Sequence, residues 1–146
     1  KIKSNIPDAC IGADVIVGFP GETEDNFLET YNFLNELNIS YLHVFTFSER
    51  LNTVAFEMDE VVPKETKAER SKMLHILSDK KRRYFNDQFI NKNRPVLFEN
   101  IKNGKILGHT DNYIQVQVKT ESNFINTIQD VKLIDNHNTF VIGDIV

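Results

Sequence analysis

The stretch that decides the fold is Gly12-Ala-Asp-Val-Ile-Val-Gly-Phe-Pro-Gly-Glu-Thr23. The segment formed by its first eight positions is short, is rich in β-branched residues and is followed by proline and glycine, a pattern that predicts a buried β-strand. With the strand period of two, one face carries Asp14, Ile16 and Gly18, and the opposite face is wholly apolar. The glycines either let a ligand approach closely or only make the turn out of the strand, and the residues alone leave both readings open.

A helix and a second strand are expected next. Thr23 is a suitable N-cap, and residues 41–47 have the composition of a strand. A strand, a helix and a strand within about 36 residues form a βαβ unit with parallel pairing. Because such a unit needs neighbouring strands, and because the chain does not begin with Met, we expect a piece of a longer protein. The helix carries an apolar stripe of Phe27, Leu28, Tyr31, Leu34 and Leu37.

The pattern changes twice in the second half of the chain. From Lys64 to about Asn93 no glycine or proline interrupts, which predicts one long helix. Beyond Pro95 the period becomes two, and Asn103-Gly104 is a strong hairpin signal. Several short strands of this kind predict a small antiparallel β-barrel. The seam of the long helix is predicted to contain Leu74, Leu77, Lys81, Tyr84, Phe85 and Phe89.

Charge is divided unevenly along the chain. The net charge is −4, yet only three of the 17 Lys and Arg residues precede position 64. The segment from Lys80 to Lys105 contains eight basic residues and only two acidic ones, Asp87 and Glu99. This imbalance favours a polyanionic partner for the second half, with a solvated helix face at residues 80–83 as the alternative.

Composition excludes several classes of protein. The single cysteine, Cys10, rules out an internal disulfide and fits a reducing, cytoplasmic setting. One thiolate cannot hold an iron–sulfur cluster, and the four histidines lack metal-ligand spacing, so we expect neither a metal site nor a catalytic residue here. The longest apolar run is far shorter than the roughly 20 residues of a membrane span, so no membrane partner is expected.

Three strings together resemble one known family. They are residues 14–23, residues 43–50 with Thr53, and Gly108-His-Thr-Asp-Asn-Tyr-Ile-Gln-Val116. In order and spacing they resemble the carboxy-terminal third of the radical S-adenosylmethionine methylthiotransferases. The sequence of residues 43–50 is most similar to that of the branch that acts on threonylcarbamoyladenosine in tRNA. Relatives act on isopentenyladenosine or on a ribosomal protein.

The resemblance implies a fold class of α/β plus all-β. Residues 1–62 would be the C-terminal part of a partial (β/α) radical barrel, 63–92 a connecting helix, and 93–146 the OB-like RNA-binding barrel called TRAM. It also implies S-adenosylmethionine and two [4Fe-4S] clusters as cofactors, with the cluster ligands outside this chain. The implied partners are tRNA and the missing N-terminal part of the same protein, and the fragment alone would be inactive.

The resemblance and the residues together nominate two sets of site residues. In related enzymes the first strand lies beside the adenine of the cofactor, which nominates Asp14, Val15, Ile16 and Gly18; Glu22 falls one residue late in the motif and is read as a helix-start acid. Bases combined with stackable rings suit RNA. The RNA-binding candidates are Lys81, Arg82, Arg83, Arg94, Lys102, Lys105, His109 and Tyr113.

The expected function follows from the resemblance. The chain would be part of an enzyme that adds a methylthio group to C2 of N6-threonylcarbamoyladenosine in the tRNA anticodon loop. The alternative from a different class is a stand-alone RNA-binding module whose βαβ segment is only a docking platform.

Overall fold

A computed structural model describes all residues of the chain, Lys1–Val146. The chain divides into two compact units, Ile11–Lys81 on one hand and Lys1–Cys10 with Arg82–Val146 on the other. The elements in chain order are α1 Ile2–Asn5, β1 Gly12–Val17, α2 Glu24–Glu36, β2 Tyr41–Thr46, a 3₁₀ turn Val54–Phe56, α3 Lys64–Asp87, β3 Asn93–Lys102, β4 Lys105–Thr110, β5 Gln115–Lys119, β6 Ile128–Asn136 and β7 Val141–Ile145.

The βαβ unit predicted from the sequence is confirmed. β1 and β2 pair in parallel, with Ile16 opposite Phe45. The helix between them begins where expected, because Thr23 Oγ1 accepts a hydrogen bond from the Asn26 amide at 3.2 Å and Asn26 Oδ1 accepts one from the Thr23 amide at 3.1 Å. This reciprocal cap satisfies two amides that a helix start otherwise leaves unpaired.

Helices cover only one face of this sheet. The core of the unit joins β1 and β2 to α2 and α3 through Val17, Phe27, Leu34, Leu42, Leu74 and Leu77. Ser78 of α3 lies in this interface, where its hydroxyl accepts from the Leu42 amide at 2.9 Å and donates to the Leu42 carbonyl at 3.0 Å. The opposite face is open, with Ile16 60% and Phe45 53% exposed.

The long helix ends earlier than its sequence pattern predicts. α3 stops at Asp87 rather than near Asn93. The amides of Gln88, Phe89 and Ile90 bond three residues back, which tightens the chain into turns. Asn91 then takes a left-handed φ of 67°, a conformation that asparagine tolerates well. Phe85 and Phe89 are buried as the seam predicts, whereas Tyr84 is 69% exposed.

The second unit contains the predicted small barrel. Its strands close in the order β3-β4-β5-β7-β6. All neighbours are antiparallel except β5 and β7, which pair in parallel at Val116 and Val141. The Asn103-Gly104 hairpin is confirmed, since both residues have the positive φ that a tight two-residue turn requires. The buried core contains Phe85, Phe89, Val96, Phe98, Ile106, Ile114, Val116, Val118, Val131, Leu133 and Val141.

No helix in the structure combines the length and the apolar character needed to cross a membrane.

Gly108 should be essential to closure of the barrel. It lies opposite Phe98, and a Cβ at this position would overlap the backbone of Leu97. We expect Gly108→Ala to lower the free energy of unfolding by about 1–3 kcal/mol, as for other overpacked interiors. Urea denaturation measures the change.

Gly104→Asn is the matched control. A Cβ at Gly104 meets no atom within 4 Å, and asparagine accepts the positive φ of this position. An equal loss of stability in both variants would contradict the steric account.

Candidate functional site

A cavity opens at the carboxyl ends of the two parallel strands, where such sheets usually bind ligands. Its volume is about 400 Å³. We call it the sheet-edge cavity. Its walls combine aromatic and aliphatic side chains with hydroxyls and one guanidinium, a composition suited to a ligand with one flat apolar part. The lining residues are Ile16, Phe45, Thr46, Phe47, Ser48, Arg50, Thr53 and Ala55.

The four residues nominated for cofactor binding do not share one environment. Ile16 lines the sheet-edge cavity, and Asp14 lies on the same open face, opposite His43. Val15 points to the other face and packs against the helix-covered core. Gly18 is buried at the end of β1. Side-chain contact with a ligand on the open face is therefore available to Asp14 and Ile16.

Gly18 is a glycine for two intramolecular reasons. Its φ is 78°, and a Cβ at this position would lie 2.5 Å from Cγ of Lys67. Its amide donates to Glu22 Oε2 at 2.7 Å. The turn reading that the sequence left open thus has a direct structural basis. Lys67 was missed because no local pattern links residues that lie 49 positions apart.

Arg70 holds the loop that follows β1. Its Nη1 donates to the Glu22 carbonyl at 2.9 Å and to Glu22 Oε2 at 2.8 Å, and its Nη2 donates to Glu24 Oε2 at 3.0 Å. Glu22 therefore bridges Arg70 and the Gly18 amide. It lies before the N-cap Thr23, and the acids in the first turn of α2 are Glu24 and Asp25. Burial lowers the pKa of Arg70, but the hydrogen bonds that it donates to Glu24 and Glu22, together with the attraction of these two charges, outweigh burial and raise the pKa.

Lys67 holds the loop that follows β2. Its Nζ lies 2.5 Å from Glu49 Oε1, and its side chain is only 9% exposed. The ammonium also lies 5.4 Å from the centre of the Phe47 ring. The hydrogen bond from Lys67 lowers the pKa of Glu49 from its ordinary value.

The outer face of the barrel carries a row of three lysines. Lys105 is directly opposite Lys102 on β3 and Lys119 on β5. We call these three residues the lysine row. Like charges in directly opposite positions repel, so an anion bound to the row would relieve that repulsion. Lys119 was not among the sequence candidates, because it becomes their neighbour only through strand pairing.

His109 and Tyr113 lie near each other at the other end of β4. Their ring centres are 6.0 Å apart, and His109 Nδ1 lies 2.6 Å from Glu99 Oε2. Tyr113 is 79% exposed and has a φ of 65°. The alternation of residues 113–119 predicts a strand that includes Tyr113, but β5 begins at Gln115 and Tyr113 lies in the loop before it.

Buried polar groups fix the turn that carries Tyr113. Thr110 Oγ1 accepts from the Ile114 amide at 2.9 Å and donates to Asn112 Oδ1 at 2.6 Å, and both polar side chains are buried. The Tyr113 amide donates to the Thr110 carbonyl at 3.0 Å. A strained backbone held by this network keeps an aromatic ring exposed, an arrangement typical of functional surfaces.

Besides His109, the candidates Arg94 and Lys81 have partners within the chain. Arg94 pairs with Asp8 at 2.7 Å and with Asp111 at 2.9 Å, and its guanidinium lies over the Phe89 ring. Lys81 Nζ donates to the carbonyls of Asn35 at 3.1 Å and Leu37 at 2.8 Å, at the C-terminus of α2. Of the other α3 candidates, Arg83 is exposed and Arg82 is half-buried.

Curated relatives match nearly the whole chain. It is 38% identical over 139 residues, 92% of its length, to the threonylcarbamoyladenosine tRNA methylthiotransferase MtaB of Bacillus subtilis (strain 168). It is 40% identical over 116 residues, 80% of its length, to the protein of the same name from Aquifex aeolicus (strain VF5). The chain belongs to the methylthiotransferase family. The resemblance drawn from the three sequence strings is thereby confirmed.

The match to methylthiotransferases covers part of their length. The chain spans about a third of the relatives it matches: 31% of the B. subtilis protein and 27% of the A. aeolicus protein. A third relative is the tRNA-2-methylthio-N(6)-dimethylallyladenosine synthase of Acetivibrio thermocellus. It is 35% identical over 91% of this chain, and the match covers 28% of its own length. No protein-family profile matches the chain.

Lys81 should contribute to the stability of the first unit. α2 has no basic residue in its last turn, so Lys81 supplies the positive charge that its terminal carbonyls favour. We expect Lys81→Met to lower the free energy of unfolding by about 1 kcal/mol. The exposed neighbour Lys80→Met is the control and should change it little; equal effects in thermal or urea unfolding would argue against a capping role.

Proposed function

We propose that this chain is the carboxy-terminal part of a tRNA methylthiotransferase that adds a methylthio group to C2 of N6-threonylcarbamoyladenosine in the anticodon loop. The observation that carries the proposal is the 38% identity to the B. subtilis threonylcarbamoyladenosine enzyme over 92% of the chain. The A. thermocellus relative named for dimethylallyladenosine makes an isopentenyladenosine substrate the alternative within the family. A ribosomal protein target and a stand-alone RNA-binding module are the two remaining candidate functions.

The sheet-edge cavity suits the adenosyl part of S-adenosylmethionine. Ile16 and Phe45 offer apolar contact for a purine ring, and Ser48, Arg50 and Thr53 offer polar contact at its edge. Bound together with an iron–sulfur cluster, this cofactor would supply the radical that activates the adenosine carbon. The role of this chain is to bind and orient the adenosyl group and to exclude water from it.

The residues of this chain do not fit an iron–sulfur cluster. It has one cysteine, and no group of three or more His, Cys, Asp or Glu side chains is arranged to hold a metal ion. We therefore assign both [4Fe-4S] clusters to the N-terminal part of the complete protein, since clusters of this type need three or four thiolates. On this proposal the isolated chain is inactive in methylthiolation, and the complete protein acts in the cytoplasm.

The outer face of β3, β4 and β5 suits tRNA. The lysine row lies at one end of β4 and His109 four residues further along, about 13 Å away at the usual rise of a strand. Lysines there attract phosphates, and the exposed ring of Tyr113 offers a stacking surface for an unpaired base. The exposed Arg83 adds to the positive field, whereas the charge of Arg94 is compensated by two carboxylates and Lys81 is held by backbone carbonyls.

The decisive experiment uses the complete protein that contains this sequence. It is reconstituted with its clusters and supplied with S-adenosylmethionine, a sulfur source and tRNA carrying either threonylcarbamoyladenosine or isopentenyladenosine. Mass spectrometry of the digested tRNA should detect a methylthio group on the first nucleoside. Transfer only to the second would establish the alternative substrate, and tRNA binding without transfer to either would favour the RNA-binding module.

The lysine row should set the salt dependence of tRNA binding. We expect Lys102→Gln, Lys105→Gln and Lys119→Gln together to reduce the slope of log affinity against log salt by about 2, since each phosphate contact in a single-stranded region contributes about 0.7. Filter binding of this chain to tRNA at several salt concentrations measures the slope.

The control removes three exposed lysines from elsewhere on the chain: Lys64→Gln, Lys72→Gln and Lys132→Gln. It has the same net charge as the test variant. An equal fall in slope in both would indicate a general charge effect and not a defined site.

Replacing Tyr113 by asparagine should weaken RNA binding without lowering the stability of the fold. Tyr113→Asn removes the ring and places at φ 65° a residue that tolerates this conformation. We expect tRNA affinity to fall by the equivalent of about 1–3 kcal/mol, the usual value for a stacked base. The free energy of unfolding should stay equal or rise by about 1 kcal/mol. Unchanged tRNA affinity with normal folding would remove Tyr113 from the RNA site.

A further inference from the structure

We propose that Lys67 and Arg70 are positioning residues for the cofactor: from one face of α3 they hold in place the two loops that border the sheet-edge cavity. The inference rests on the proposed function, because it takes the occupant of that cavity to be S-adenosylmethionine. Neither residue lines the cavity. Each would therefore act through the loop that it holds.

The spacing of the two residues allows one helix to reach both loops. Residues three apart are neighbours on a helix surface, so the Lys67 and Arg70 side chains leave α3 side by side. Arg70 reaches the loop after β1 through Glu22, and Lys67 reaches the loop after β2 through Glu49. Both loops follow the carboxyl ends of their strands, where the cavity lies.

Lys67 also contacts the loop after β1. Its stem fills the space next to Gly18 that a Cβ would need, while its ammonium pairs with Glu49. Ser48 and Arg50, which flank Glu49, both line the cavity. Fixing Glu49 therefore fixes the backbone that presents these two polar groups to a ligand.

Arg70 acts on the same turn through a shared carboxylate. Glu22 Oε2 accepts from Arg70 Nη1 at 2.8 Å and from the Gly18 amide at 2.7 Å. The turn that ends β1 is thus tied to α3, two residues beyond the cavity residue Ile16. Arg70 is 5% exposed, and its Nε is buried with no hydrogen-bond partner.

The energetics distinguish positioning from simple stabilisation. Burying a lysine or an arginine carries a desolvation cost that the ion pair often fails to offset, but removing only one partner also leaves the other charge uncompensated wherever that charge is buried. Methionine matches the length of the Lys67 stem and can fill the space beside Gly18. Lys67→Met leaves Glu49 with 38% of its side chain exposed to water and should cost little stability. Arg70→Met leaves Glu22 only 15% exposed, with the Gly18 amide as its remaining partner, and should lower stability without preventing folding. Each variant loses the directional bond that holds its loop.

The test measures binding of S-adenosylmethionine by equilibrium dialysis to the complete, cluster-reconstituted protein that contains this chain. We expect the dissociation constant to rise about tenfold or more in Lys67→Met and in Arg70→Met, because small displacements of positioning groups are costly. The affinity for tRNA should change little in both variants, whereas the midpoint of thermal unfolding should change little in Lys67→Met and fall in Arg70→Met, so binding is measured well below that midpoint. The control Lys72→Met, an exposed lysine on the same helix, should bind the cofactor as the wild type does.

Hydrogen exchange of the same variants makes the outcome decisive. If the inference is correct, the amides of residues 18–23 exchange faster in Arg70→Met and those of residues 47–50 faster in Lys67→Met. Wild-type cofactor affinity in both variants would overturn the inference, as would unchanged exchange in both loops. A wild-type protein that fails to bind S-adenosylmethionine would instead overturn the proposed function, and the exchange data would still decide whether α3 holds the loops.

Discussion

The stem of Lys67 lies where a side chain at position 18 would have to lie, and this steric exclusion organises the first unit. Because position 18 is a glycine, α3 can approach the end of β1 closely enough for Lys67 to reach Glu49. The following turns of the same helix then bring Leu74 and Leu77 into the core. A larger residue at position 18 would displace the lysine stem and, with it, the link between α3 and the loop after β2.

The inner stripe of α3 is polar at several positions. Lys67, Arg70, Ser78 and Lys81 share the helical spacing of Leu74 and Leu77, and each has hydrogen-bond partners on a neighbouring element. Helical spacing placed Lys81 in the predicted seam, and its contacts with the α2 terminus agree with that position. Hydropathy left out the other three polar positions. Helical spacing extended toward the start of α3, irrespective of polarity, would have identified them as well.

Local signals in the sequence were sufficient for much of the fold. The Thr23 cap and the Asn103-Gly104 hairpin depend on neighbouring residues, and the parallel strand pair follows from the order strand, helix, strand. Each was predicted. The contacts of the candidate site depend on chain folding. The Arg70–Glu22 pair joins residues 48 positions apart, and Lys119 joins the lysine row only through the register of β4 and β5. Such pairs produce no periodic pattern in a single sequence. The left-handed conformation of Tyr113 was missed for a related reason, since the buried Thr110 network that maintains it becomes evident only in three dimensions.

Counting charges along the chain overstates the positive surface of the second half. Arg94 is held between two carboxylates and over an aromatic ring, so little of its charge acts at long range. The lysine row differs, because the residues directly opposite Lys105 on both neighbouring strands are also lysines. Repulsion within the row opposes folding, and a phosphate bound there would remove it. The strained turn at Tyr113 likewise keeps an exposed ring at a conformational cost. These two unfavourable features lie at opposite ends of β4 on one surface, and binding of a nucleic acid would offset both.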